Sequence, residues 1–120
     1  MALTIGNVIM RVRYMISDSV TTYRNDDTKL MLYGDDGQKA ILSEHPEAAY
    51  KDSDSSVSVV GPDDLTVFTA TGNSLQIRDS WAERLAHYIA FRVFGEDAED
   101  IANQNLAKEH WDLTGLETMP

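Results

Sequence analysis

Between Asp79 and Leu116 the sequence DSWAERLAHYIAFRVFGEDAEDIANQNLAKEHWDLTGL holds two helical patterns with one glycine break between them. The first is apolar around nearly its whole circumference, and a helix of that kind is buried on more than one side. In a chain of 120 residues one core rarely covers a helix on all sides. Part of this surface is therefore expected to meet another chain. Trp81, Leu85, Tyr88, Ile89, Phe91 and Phe94 are read as core or subunit-packing residues, with Trp111 beside them.

The remaining chain fits one domain built around these helices. Residues 4–17 form the first predicted helix: Ile5, Val8, Ile9, Val12 and Ile16 recur at helical spacing, Thr4 is the N-cap, and Arg11 and Arg13 lie off the apolar stripe. A polar loop follows. The second helix is predicted over 26–44, capped by Asn25 or Asp26, with Leu30, Tyr33, Gly37 and Ile41 on its inner stripe. Gly34 and Gly37 each weaken a helix by about 1 kcal/mol relative to alanine, so their expected use is close approach of another backbone. His45-Pro46 ends it, because a residue before proline avoids the helical region.

Residues 47–77 are the least regular part. VSVV (57–60) and LTVFTA (65–70) are short, rich in β-branched residues and joined by a Gly-Pro-Asp-Asp turn, which predicts a small β-hairpin, and LQI (75–77) offers a third short strand. The third helix is predicted over 80–94 with Asp79 as N-cap and Gly95 as a left-handed C-cap. The fourth covers 98–114 with Asp97 as N-cap, and Gly115–Pro120 forms an extended tail. The predicted class is mainly α: a four-helix bundle with a hairpin between helices 2 and 3.

Composition narrows the function. Twenty acidic residues against ten Lys and Arg give a net charge of -10. Wrapping of nucleic acid needs clustered cations and is not expected. The surplus acid suits solubility, a basic partner, or a wall past which a polyanion slides. With no cysteine there is neither a disulfide nor a thiolate metal site, which fits a reducing compartment. No apolar run is long enough for a membrane span, and the N-terminus lacks the pattern of a signal peptide.

No motif points to a reaction or a cofactor. Tyr33-Gly34-Asp35-Asp36 spells the metal-binding turn of RNA-dependent polymerases, but its flanks are helical and the chain is too short for a polymerase palm. Asp52-Ser53-Asp54 lacks the glycine and glutamate of a calcium loop. The acids from Glu96 to Asp100 are explained by the positive end of a helix. His45, His87 and His110 lie on three different elements without metal-ligand spacing, and His87 is placed to pair with Glu83 four residues earlier.

Three segments carry a resemblance: TIGNVIMRVRYMISD (4–18), LMLYGDDGQKAI (30–41) and AERLAHYIAFRVFGEDAEDIANQNLAKEHWDL (82–113). Together they resemble the head-to-tail adaptor proteins of tailed bacteriophages, also called connector or head-completion proteins. The most telling residues are Asp36-Gly37-Gln38 with Ala40-Ile41, and the series Tyr88, Arg92, Asp97-Ala98-Glu99, Asn103, Ala107, His110-Trp111. The resemblance implies a non-enzymatic virion protein at the head–tail junction, made in the host cytoplasm. Its helical protomers would join a ring, usually of twelve copies, beneath the portal protein. The ring would lengthen the channel through which DNA passes without specific binding, and would offer a platform to a tail or nozzle protein. It further implies a portal-docking role for Trp111, Leu113, Leu116 and Met119, and a tail- or neighbour-facing role for Val59, Leu65, Val67 and Phe68. Gly34 departs from the family, which usually has a large apolar residue there. The reading from another class is a small acidic regulator of the DNA-mimic type.

Two consequences can be checked against a structure. Gly34→Ala is expected to stabilise the protomer by up to about 1 kcal/mol. Truncation after Asp112 is expected to leave the fold largely intact while abolishing portal docking.

Overall fold

A computed structural model describes residues 3–18, 24–49, 61–63, 65–96 and 100–117. It is mainly helical, as the periodicity predicts. The α-helices are α1 (Ile5–Met15), α2 (Asp27–Glu44), α3 (Ala82–Gly95) and α4 (Ile101–Thr114), with 3-10 turns at Pro46–Ala49 and Asp79–Trp81. Helix α3 is the hub, because α1, α2 and α4 all pack on it. Ile5, Val12, Leu30, Ile41, Leu85, Tyr88 and Ile89 are all buried at the centre. The molecule is a flattened slab of 46 × 32 × 20 Å.

Both ends of α1 are closed by hydrogen bonds that a free helix would lack. At its start, Thr4 and Asn7 form a reciprocal capping box. The N–H groups of Ile5 and Gly6 donate to the carbonyls of Asn73 and Thr71, both at 2.9 Å. At its end, the Asp18 N–H donates to the Arg13 carbonyl and the Ser17 N–H to the Tyr14 carbonyl, a Schellman turn. That turn puts Ser17 at φ 57°, in the left-handed region. The expected helix over 4–17 therefore stops at Met15.

Asp26, rather than Asn25, caps α2 by accepting from the Lys29 N–H at 2.8 Å. Its two inner glycines sit against side chains. A Cβ at Gly37 would lie 2.6 Å from Leu85 Cδ1 and 2.8 Å from Tyr88 Cδ1; one at Gly34 would lie 2.9 Å from Ile5 Cδ1. The contact at Gly34 runs against the expectation that Gly34→Ala stabilises, because Ile5 Cδ1 must shift to admit a methyl. Ile5 is fully buried, so that shift has to be taken up within the packed core.

The later boundaries also need correction. Asp79 is not an N-cap: it lies in the 3-10 turn, and its carboxylate accepts from the Leu3 N–H at 3.1 Å. Gly95 is the last residue of α3 and is not left-handed; the only positive-φ glycine among the described residues is Gly115, at φ 75°, which caps α4. Helix α4 begins later than expected because Asp100 takes the cap, accepting from the N–H groups of Ala102 and Asn103.

The described residues contain no strand, so the predicted hairpin is not supported. Residues 57–60 lie outside the described set, and 65–70 runs without a ladder. Side chains take up its backbone groups instead. The Phe68 N–H donates to Asp35, the Thr66 N–H to the Gln76 side chain, and the N–H groups of Thr69 and Ala70 to Asn73. The expected third strand at 75–77 does not form; just before it, Ser74 makes a single antiparallel bridge with Thr4. With these four donors engaged by side chains, the segment offers few N–H groups to a partner strand.

Candidate interaction surfaces

Helix α4 is an edge element whose only substantial helix contact is α3. Ala107, Trp111 and Thr114 form its inner face. Trp111 meets Phe91 with ring centroids 5.0 Å apart, and Phe91 in turn meets Tyr88 edge-on. About 130° around the helix, Ala102, Leu106, Glu109 and Leu113 line up on an outer face. Leu113 is 57% exposed, and Ile101, at the other end of the helix, is 72% exposed.

The portal-docking set is therefore divided. Trp111 and Leu116 are buried in the protomer's own core, Leu113 is exposed, and Met119 lies outside the described residues. The tail does not run free at its start. After Gly115 the chain turns back: the Leu116 N–H donates to Thr114 Oγ1, and the Glu117 N–H donates to Glu44 at the end of α2, at 2.8 Å. His45 Nε2 lies 3.3 Å from the Gly115 carbonyl. His45 also meets the Trp81 ring, over which the Arg84 guanidinium lies at 4.4 Å.

The proposed tail-facing set is divided in the same way. Phe68 is buried, Leu65 is half-buried, Val67 is 63% exposed, and Val59 lies outside the described residues. Of the six packing residues, Leu85, Tyr88 and Ile89 are buried. Trp81, Phe91 and Phe94 are half-buried at the margin of the same cluster.

A second apolar surface lies on α1. Met10 and Tyr14, one turn apart, are 60% and 64% exposed. They border a groove of about 480 Å³ with Thr4, Asn7, Thr71 and Gly72. Beneath one end of the groove is a charged cluster that the α1 pattern did not predict. Arg13 is buried, donating to Asp18, to the Asn25 carbonyl and to Asp27. Burial pushes the Asp18 carboxyl up. The N–H groups of Arg24 and Asn25, the Asn25 amide and the Arg13 charge outweigh that and hold it below the usual carboxylate range.

The YGDD residues diverge. Asp35 accepts from the Phe68 N–H at 2.9 Å, and burial, with Asp36 nearby, pushes its carboxyl up. Asp36 accepts from Arg92, whose guanidinium also contacts the Tyr88 hydroxyl and lies over the Tyr33 ring at 4.6 Å. Each aspartate thus has its own structural partner. Among the described residues no group of three or more His, Asp or Glu side chains is placed to hold a metal ion, and no helix is long and apolar enough to cross a membrane.

Cations are matched to acids over much of the surface: Arg11 to Glu83, Lys29 to Glu96, Arg92 to Asp36 and Lys108 to Asp112, each within 4 Å. The Arg11 hydrogen bond holds the Glu83 carboxyl below its ordinary value. With these cations engaged, the excess charge on the surface is acidic.

Two histidines meet at the α3–α4 seam. His87 Nδ1 and His110 Nδ1 are 2.9 Å apart, and Phe94 stacks on His110 at 5.5 Å with an interplanar angle of 11°. Burial lowers the basicity of both. For His87, Glu83 opposes and Arg11 reinforces that shift; for His110, His87 reinforces it and Glu109 opposes it. The expected Glu83 pair is present as a looser contact, at 3.7 Å from His87 Nε2. The sequence signal for the histidine pair was the shared face of His87, Phe91 and Phe94 together with His110 beside Trp111. It becomes a contact only once the register between α3 and α4 is known.

No protein-family model matches this chain, and no curated protein or solved structure matches it.

Proposed function

We propose that this chain is a structural adaptor that assembles into a ring at the head–tail junction of a tailed phage. There it binds the portal protein on one side and a tail or nozzle protein on the other, and carries no reaction. The observation that supports this best is the outer face of α4, where Leu106 and Leu113 are solvent-facing on a helix already packed on its other side. A second such surface, Met10 and Tyr14 on α1, gives the protomer two different apolar patches. Two unlike patches form a head-to-tail interface, which closes into a ring when the rotation per copy allows. The acid surplus suits the wall of a DNA channel: twelve copies at -10 each bring roughly 120 negative charges before counterions.

The test is the mass of the protein by light scattering, alone and mixed with the portal ring encoded by the same genome. Joining the portal in a fixed multiple near twelve supports the reading, and Leu113→Arg should weaken that association. A chain that stays monomeric with the portal ring defeats it.

The matched cations favour one alternative, a small acidic regulator of the DNA-mimic type acting on a basic partner. In that case the protein would compete with DNA for the partner, and the competition would weaken with salt.

A further inference from the structure

Helix α4 is held differently at its two ends. Its C-terminal end is tied to the end of α2 through Gly115 and Glu117, while its first turn carries Ile101 largely in solvent. In the third turn of α4, a direct polar contact across the α3–α4 seam is the pair His87 and His110. We propose that this pair is a proton-operated latch: it holds α4 on α3 while at most one of the rings is protonated, and loosens α4 from α3 when both are.

The argument follows from the atoms that face each other. At 2.9 Å, one Nδ1 must carry a hydrogen and the other must be bare. The neutral pair therefore consists of opposite tautomers. A first proton can enter at the outer Nε2 of the donating ring and leave the Nδ1–H···Nδ1 bond in place. If the donor is His87, that new N–H points toward Glu83, whose carboxylate is 3.7 Å away. A second proton has to occupy the accepting Nδ1. The bond is then lost, and two N–H groups and two positive charges confront each other in a half-buried seam.

The surrounding charges do not cancel this. Glu83 on α3 and Glu109 on α4 favour protonation and Arg11 on α1 opposes it; the Phe94 face, flat on His110, attracts an imidazolium only weakly beside a second like charge across the 2.9 Å contact. The sign is set accordingly. Both rings bind protons less readily when latched than when free, so the latch is fully effective above the ordinary histidine value, about 6.5. It fails as the pH drops below that value. Opening would part His110 from Phe94 and loosen Trp111 on Phe91.

The experiment uses the whole chain. Hydrogen exchange, corrected for intrinsic rates, is followed for α1 and α4 amides from pH 7.5 to 5.0, beside an NMR titration of the two imidazoles. Protection in α4 is expected to fall about tenfold or more while α1 changes little, and the rings should titrate in two separated steps. His110→Phe keeps a flat ring on Phe94 but takes no proton, so only His87 is left to titrate at the seam and α4 protection should depend on pH much less than in the native chain. Equal pH dependence in His110→Phe would overturn the proposal. So would parallel loss of α1 and α4 protection in the native chain. If the variant does not fold, the native titration still decides: two imidazoles that titrate together near 6.5 would rule the latch out.

Discussion

The α1–α2 corner and the α3–α4 seam are both contacts between helices of this small protein, and they are built from different materials. At the corner, α1 is closed at both ends, Arg13 and Asp18 are buried with several partners each, and α2 presents Gly34 to let Ile5 approach, with Gly37 one turn on admitting Leu85 and Tyr88 of α3. At the seam, rings meet rings at 5.0–5.5 Å, two histidines share one hydrogen bond, and the far side of α4 is open. The corner combines tight packing with over-determined polar groups. The seam is looser and titratable. The difference teaches where each part can give: damage to the corner should cost the fold, whereas damage to the seam should release α4 and spare the rest.

The largest effect should come from Arg13→Met. It leaves Asp18 buried without its cation, and breaking a buried pair in that way costs about 3–5 kcal/mol. Urea denaturation measures it. A loss under about 1 kcal/mol would place the pair with ordinary surface ion pairs. The pH dependence checks the sign. The folded Asp18 carboxyl sits below its unfolded value, so its contribution is complete above the ordinary carboxylate range, about 4, and is lost as the pH falls through the folded value. Without Arg13 that acid-side dependence should shrink.

Gly37→Ala comes next, at about 3 kcal/mol of overpacking, because both neighbours of the new methyl are held in a full core. Gly34→Ala should cost less, about 1 kcal/mol, since only Ile5 Cδ1 is too close while Phe68 and Ile89 stand at ordinary contact. The ratio of the two melting-temperature shifts tests whether α2 is tightest against α3 or against α1.

The same contrast explains what could be read from the residues in order. Periodicity located all four helices, and local chemistry located the cap Thr4 and narrowed the α2 cap to Asn25 or Asp26, because those signals lie within one turn of the residue concerned. The α4 cap was misplaced because Asp97 and Asp100 offer the same carboxylate to a helix start. The hairpin was misjudged for a non-local reason. The β-branched content of 65–70 is real, yet Asp35, Gln76 and Asn73 supply its backbone partners. Arg13 read as an exposed charge because its partners sit in the loop after α1 and at the start of α2. The surfaces were only half legible. Periodicity put Trp111 and Leu113 on different faces of α4, but only the packing showed which face looks inward. Leu116 lies beyond the helix, where no period applies.

Truncation after Asp112 probes the seam from its anchored end, and it now has a different expected outcome. Removing Leu116, Thr114 and the Glu117–Glu44 hydrogen bond exposes a buried leucine site and unties α4 from α2. The cost should be about 2 kcal/mol, the scale of one buried leucine. Exchange protection should fall throughout α4 and persist in α1 and α2. Unchanged α4 protection would show that Trp111 and Phe91 hold the helix by themselves.

The smallest effect, and of opposite sign, should be at Ser17. The Schellman turn that brings the Asp18 carboxylate beside Arg13 requires φ 57° at Ser17, a conformation in which any Cβ crowds the backbone. Ser17→Gly removes that cost and adds some entropy to the unfolded chain, so the net gain should be about 0.5–1 kcal/mol. The side chain is exposed, so no packing is lost. Because the gain arises at the corner, it should slow exchange that requires global unfolding and leave the local opening of α4 unchanged. An equal rise in α4 protection would mean that α4 opens only when the corner does, and the two regions would then be one cooperative unit.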